Sequence, residues 1–492
     1  MIQSGTGVAG GIELAALYDT LMRYKPETAE FEPRIAESLE PNGDFTQWTL
    51  RLRSGVRFSD GTPFDSSAVV TNLQRHIEKR SRTANLVTPI VDYQTPDDLT
   101  VVFTLQFPWS GFPYALASAP GMIVNPKAIE TLGDDLATNP VGAGAGPFVF
   151  ESFRPGEAVV LKRNPDYWGG EVYLDGIRFV HITGGPATYE ALSTGDLDAA
   201  FLRDAATIAR AKRDGVDGYE AVYSAGETML MNNGVKVTCQ GGQPAPACDG
   251  QADGVQVATS PPLSDVRLRR AVAAAIDLDV VNERVYGGHA KASSDLIWRD
   301  SIWYSGIEGP QYDLDEAKRL VEEVKAEGEW DGTIRVSCHN GNPEWGTAVA
   351  TLLQIAGFTP QVIDQRDVQQ NIADVIVRKD FDLACFGTTI SDEEPFFALN
   401  RDFNSALSGN AGNYGGYENA EVDRALAEGR AAADSEGKQR AIDTIARAYV
   451  EDVPLLVMGA STEFVAFSDD LRGVEPTVGT LVLFDKAWLA RG

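Results

Sequence analysis

Basic residues are scarce. There are 42 Lys and Arg against 71 Asp and Glu, a formal net charge of −29 over 492 residues. So acidic a surface repels phosphate backbones and anionic lipid headgroups, which argues against nucleic-acid partners and polybasic membrane attachment. Long apolar runs are also missing. No window approaches the ~18 consecutive apolar residues of a bilayer span, and the richest stretch, 453–460, is strand-length and contains Pro454. Histidine is limited to His76, His181, His289 and His339, with no two at metal-ligand spacing on one element. No metal site and no cofactor are therefore expected. Residues 1–5 have neither a basic nor an apolar signal region, so they are expected to begin either a cytoplasmic protein or a mature or trimmed chain.

Cysteine is equally sparse, at four residues. Cys239 and Cys248 bracket QGGQPAPA, a polar, turn-rich loop that builds no core of its own and fits no zinc-ligand pattern. A disulfide clasp is the expected use, and it favours an extracytoplasmic location. Cys338 and Cys385 each end a predicted strand; pairing and separate burial are both open.

Familiar catalytic patterns are absent or misplaced. VGAGAGP (141–147) mimics a dinucleotide loop, but Pro147 and an aromatic strand follow where a helix must begin, which excludes that reading. No G-x-S-x-G and no Walker A sequence occurs. Ser435-Glu436-Gly437-Lys438 matches S-x-x-K, yet it sits at a predicted helix start. Acidic pairs such as Asp134-Asp135 are too common to mark acid/base partners. No enzymatic activity is expected.

What is present is a chain with ample apolar content, 43% hydrophobic and 9% aromatic, in two regions of different rhythm. From Phe45 to Phe58, Trp48, Leu50 and Leu52 alternate with Thr49, Arg51 and Arg53, the pattern of a half-buried strand. Asp65 or Ser66 caps a predicted helix to about Arg80. Further strands are predicted at 101–107, 148–150 and 159–161, giving an antiparallel α+β region over about 24–165. After about Ser260, a helix capped by Ser264 is followed by alternating strands (334–337, 360–363, 381–386) and helices (345–356, 368–376), the signature of a parallel α/β layer. Two more helices carry Val422 and Leu426, then Ile442, Ile445 and Tyr449.

Several blocks together resemble the family 5 extracytoplasmic solute-binding proteins of bacterial ABC importers, the dipeptide-, oligopeptide- and nickel-binding group. They are ALYDTLMRYKP…PRIAESLEP…WTLRLRSGVRFSDGTPFDSSAVV (16–70), PVGAGAGPFVFESFRPGEAVVLKRNPDYWGG (140–170), TYEALSTGDLDAAFL (188–202), SDVRLRRAVAAAIDLDVVNERVYGG (264–288) and NYGGYENAEVDRALAEGR (413–430). The resemblance implies an α/β, two-lobed periplasmic-binding-protein-like fold (type II, cluster C) with an extra α+β domain. Lobe I would comprise 1–23, 166–260 and 468–492, the extra domain 24–165, and lobe II 261–467. It also implies a monomer that encloses a peptide or other small solute between hinged lobes and delivers it to the importer's permease subunits. Membrane contact would come only through the permease or a removed lipid anchor. The family's opening strand has no counterpart ahead of Gln3.

The resemblance also suggests where ligand is met: Thr6, Gly7 and Val8 in the N-terminal loop, Trp109 and Phe112 in the extra domain, Asn232 and Asn233 after a predicted hinge strand (228–231), and the loop after strand 381–386. Peptide-binding members carry in that loop a tryptophan and, three residues on, an aspartate that pairs with the peptide ammonium. Thr388 and Ser391 occupy those positions here. Asp392, one residue along, is the expected substitute.

Overall fold

The computed structural model describes residues 11–241, 245–339, 343–408 and 412–490. Thr6, Gly7 and Val8 lie outside the described residues. The chain forms two compact units, 1–221 with 463–492, and 222–462, and passes between them twice.

In the first unit the alternation around Trp48 makes the strand Gln47–Leu52, central in an antiparallel sheet with Ala36–Pro41, Thr100–Leu105 and Ile90–Asp97. Trp48 stands opposite Phe103 and Leu50 opposite Val101, all four buried. Asp65 caps the helix Ser66–Glu78 by accepting a 2.9 Å bond from the Ala68 amide. That helix buries Val69, Leu73 and His76, and Asn72 on the same side clasps both backbone groups of Val124. The strands Phe148–Arg154, Ala158–Arg163 and Gly176–Val180 form a second antiparallel sheet. The glycines of VGAGAGP serve close packing: a Cβ on Gly144 would lie 2.0 Å from the Leu17 carbonyl oxygen, and the Gly146 amide donates to that oxygen at 3.0 Å.

A buried polar network ties this unit together. Arg34 bonds to Asp19, to Asp485 at 2.9 Å and to the Tyr167 hydroxyl at 3.1 Å, while Tyr167 donates to Asp19 at 2.7 Å. Burial works against the Arg34 charge, but Asp19, Tyr167 and Asp485 more than offset it and hold the guanidinium protonated. Burial, then the neighbouring Asp19, pushes the Tyr167 hydroxyl well above its ordinary value. These four residues come from sequence regions the resemblance divides between lobe I and the extra domain, and here they share one interior.

In the second unit, Thr333–His339 pairs in parallel with both Thr359–Arg366 and Leu383–Phe386, the expected parallel layer. Leu383–Phe386 also pairs antiparallel with residues 228–231 of the long strand Gly218–Met231. Alternation divides these strands between two cores, because successive side chains point to opposite faces. Met229, Met231, Leu383 and Cys385 pack with the helices Val266–Ala275, Leu314–Ala326 and Pro343–Ile355. Leu230 and Ala384 pack with Pro395–Phe403, Ala420–Ala431 and Ser435–Asp452. Asp265, not Ser264, caps Val266–Ala275, since its carboxylate accepts from the Arg267 amide at 2.8 Å. The helix expected over 368–376 is broken: Val368–Ile372 gives way to a π-helical turn, Ala373–Arg378, ended by Lys379 at φ +56°. Cys239–Cys248 and Cys338–Cys385 are disulfides; the second joins two neighbouring strands.

Candidate functional site

Strand Leu383–Phe386 delivers residues 387–392 at its C-terminal end. This loop is bonded to a kink in the strand Gly218–Met231, where Ala225 is left-handed at φ +50°. The Ala225 carbonyl accepts from the Thr388 and Thr389 amides at 3.1 and 3.2 Å, while Ser224 and Ile390 exchange bonds of 2.9 and 2.8 Å. Thr389 is also left-handed, at φ +56°, and exposed between buried Thr388 and Ile390. Two non-glycine residues in this sparsely populated region store strain that only surrounding structure sustains. Arg401 supplies part of that structure, donating to the Thr388 carbonyl and forking onto Asp402 at 2.7 Å through two nitrogens. Beside the kink, Gly226 meets the strand Leu455–Phe467 so closely that a Cβ would stand 2.0 Å from Ser461 Oγ.

Asp392 is anchored from a segment some ninety residues earlier. Its carboxylate accepts from Ser301 Oγ at 2.6 Å and from the Ile302 amide at 3.3 Å, and its carbonyl accepts from Trp303 Nε1 at 2.9 Å. Burial raises the carboxyl pKa above the usual aspartate value, and the two hydrogen bonds offset part of that rise. Both bonds use one lone pair per oxygen, which leaves acceptor capacity for a further donor. Ser391 and Thr388 are buried beside it.

The other expected site residues are placed differently. Asn232, 1% exposed, donates to the Phe381 carbonyl at 3.0 Å and accepts from the Gly234 and Val235 amides and the Thr259 hydroxyl. Asn233 donates its amide to the carbonyls of Met231, Gly415 and Pro454. Both side chains hold backbone turns in place. Trp109 and Phe112 are buried in the first unit, with ring centroids 5.7 Å apart, and Phe112 also packs against Trp48 and Phe103.

At the opposite end of strand Leu383–Phe386 the second unit carries an open groove of about 510 Å³, lined by Asn232, Thr259, Trp330, Arg335, Gln361 and Asp382 among others. Arg335 binds Asp380 and forks onto Asp382 at 2.9 and 3.3 Å. Lys379, also on this wall, is 4% exposed, and its ammonium has no hydrogen-bond partner among the described residues. Nζ instead lies 5.3 Å from the Tyr414 ring centroid. Burial pulls its pKa down to about 8.

The sequence reading missed Ser224, Ser301, Trp303 and Arg401, which fix the 387–392 loop. Its only local signal was WRDSIWY (298–304), three aromatics in seven residues within a polar stretch.

Solved structures of the same architecture cover nearly the whole chain. The binding protein AgaA from A. tumefaciens R10, in complex with agropinic acid, matches with a TM-score of 0.76 at 20% identity, over 100% of this chain and 96% of that one. A dipeptide-binding protein from Pseudoalteromonas sp. SM9913, in complex with Met-Leu, matches with a TM-score of 0.75 at 18% identity, over 99% and 97%. The fold is that of type II periplasmic binding proteins. Among sequence relatives, the probable D,D-dipeptide-binding periplasmic protein DdpA of Escherichia coli K12 is 25% identical over 473 residues, covering 93% of this chain and 85% of that protein. The glutathione-binding protein GsiB of Pectobacterium atrosepticum is 25% identical over 463 residues, covering 92% and 85%. The family model of the bacterial extracellular solute-binding proteins, family 5 Middle, matches residues 30–410, and the chain belongs to that family.

Proposed function

We propose that this protein is the extracytoplasmic receptor of an ABC importer, capturing a small peptide or peptide-like solute and passing it unchanged to the permease. The observation that carries this reading is the family match over residues 30–410, reinforced by relatives named for D,D-dipeptides and glutathione. In this reading the chain acts as a monomer, and it reaches a membrane only through the permease or a lipid anchor. The three-part division into lobe I, extra domain and lobe II is retained, with the Arg34 network welding the extra domain to lobe I. Thr388, Ser391 and Asp392 meet the solute from lobe II, and Thr6, Gly7 and Val8 meet it from the N-terminal loop. Trp109, Phe112, Asn232 and Asn233 shape the backbone around it.

A second reading has its own support. By the resemblance, Thr388 and Ser391 stand at the positions of the peptide binders' tryptophan and aspartate, and Asp392 is already engaged by Ser301 and Ile302. We hold a non-peptide solute such as an opine or sugar as this second reading, since a neighbour of this fold was solved with agropinic acid.

Thermal unfolding against D-Ala-D-Ala, Met-Leu, glutathione and agropinic acid, with mass spectrometry of any solute released on denaturation, tests both readings. A true ligand raises Tm in proportion to ln(1 + [L]/Kd). For a peptide, Asp392→Asn weakens the free-amine form by about 10- to 100-fold and leaves the N-acetylated form unchanged. No released solute and no shift with any probe would end the receptor proposal.

A further inference from the structure

The segment that anchors Asp392 also presents a surface of its own. Its backbone is pinned at both ends: the Trp298 amide donates to Ser224 Oγ at 2.9 Å, and Ser301, Ile302 and Trp303 all bond to Asp392. Ser224 and Asp392 belong to the same kink-and-loop unit that carries Thr388 and Ser391. Residues 298–302 are therefore a second edge of that loop within one rigid hydrogen-bonded patch.

This edge turns apolar and cationic groups outward. Ile302 is 59% exposed. Trp298 is half-buried, its ring fixed by a 3.1 Å bond from Nε1 to Asp300. The exposed Arg299 guanidinium lies 5.1 Å from the Trp298 ring centroid, and Lys291 Nζ lies 5.6 Å from it. Arg299 has no carboxylate partner among the described residues, in a chain whose acids outnumber its bases 71 to 42. A guanidinium over an indole face keeps its fork of donors free, and such a fork takes a carboxylate through two parallel bonds. The apolar area of Ile302 gains from any hydrocarbon group laid against it.

We propose that Trp298, Arg299 and Ile302 are specificity-determining residues for the solute, Arg299 receiving a carboxylate and Ile302 with Trp298 receiving an apolar group next to it. The inference rests on the receptor reading and adds to it a ligand class: a carboxylate-bearing solute with a hydrocarbon side chain. Asp392 and Arg299 together then suit a zwitterion.

Calorimetric titration of wild type with Met-Leu, D-Ala-D-Ala, glutathione and agropinic acid selects the probe. Arg299→Gln, Ile302→Ser and, as a distant exposed control, Arg424→Gln are then compared with it. Arg299→Gln is expected to weaken the carboxylate probe about tenfold or more while leaving its amide derivative within twofold of wild type. Ile302→Ser is expected to weaken apolar probes about three- to tenfold, and Arg424→Gln to change nothing. Wild-type affinity in both Arg299→Gln and Ile302→Ser overturns this inference and leaves the receptor reading standing. Unchanged affinity with lost stimulation of the importer's ATPase also overturns it, assigning the surface to the permease. Failure of wild type to bind any probe counts against the receptor reading itself.

Discussion

Each unit holds a carboxylate in a hydrogen-bonded setting, Asp19 fully buried and Asp392 half-buried, and the two settings are opposites. Around Asp19 the partners are internal: it accepts from Arg34, the Tyr167 hydroxyl and the Thr20 amide, while Arg34 also binds Asp485. Around Asp392 the partners are a serine hydroxyl and a backbone amide, no cation is paired with it among the described residues, and exposed Ile302 lies alongside. The first arrangement balances charge within the fold. The second leaves acceptor capacity for a further donor, and burial raises the Asp392 pKa while its two hydrogen bonds offset part of that rise. A saturated network holds structure; an unsaturated one beside exposed apolar surface suits recognition.

The comparison is broken most severely at Arg34. Arg34→Met strands two buried aspartates and is expected to cost about 3–5 kcal/mol, the usual range for removing one partner of a buried pair; urea unfolding measures it. A loss below about 1 kcal/mol would mean the network is hydrated rather than closed.

The disulfides sharpen the contrast between a core link and a loop clasp. On the chain-entropy relation, Cys338–Cys385, with a sequence separation of 47, stabilises by about 4 kcal/mol, and Cys239–Cys248, separated by 9, by about 2.6 kcal/mol. Paired Cys→Ser variants compared by denaturant midpoint should keep that order. The reverse order would show that the chain-entropy account fails for this fold.

The smallest effect concerns Lys379, whose buried ammonium has no hydrogen-bond partner among the described residues. Its native pKa is depressed to about 8 from 10.5. Between those values the unfolded chain holds a proton the native state lacks, so stability rises with pH through that window, and the full cost is present below about pH 8. Lys379→Met is expected to gain about 1–3 kcal/mol at pH 7 and to lose the rise that wild type shows toward pH 10. A variant less stable than wild type at pH 7 would reveal a partner for the ammonium.

Much of this architecture was legible in residue order because it depends on local periodicity. The alternation of Trp48, Leu50 and Leu52 gave a strand, Asp65 gave a cap, and the spacing of 334–337, 360–363 and 381–386 gave a parallel layer. The Cys239–Cys248 clasp was readable for the same reason, since both partners sit at the ends of one short loop. The candidate site was legible only as a position. Thr388, Ser391 and Asp392 could be counted along the chain, but Ser301 and Trp303, about ninety residues away, could not be assigned to them.

Composition and pattern alone therefore determined an acidic α/β chain with a clasped loop and no apolar run of bilayer-spanning length, and ordered blocks carried the family resemblance. Tertiary structure alone decided that the VGAGAGP glycines pack against Leu17, that Asn232 and Asn233 serve backbone turns, and that Cys338 meets Cys385. It alone set Trp298, Arg299 and Ile302 on one edge with Asp392. Periodicity follows from the geometry of a single element, whereas a side chain's burial, charge balance and partners depend on which distant segments fold against it.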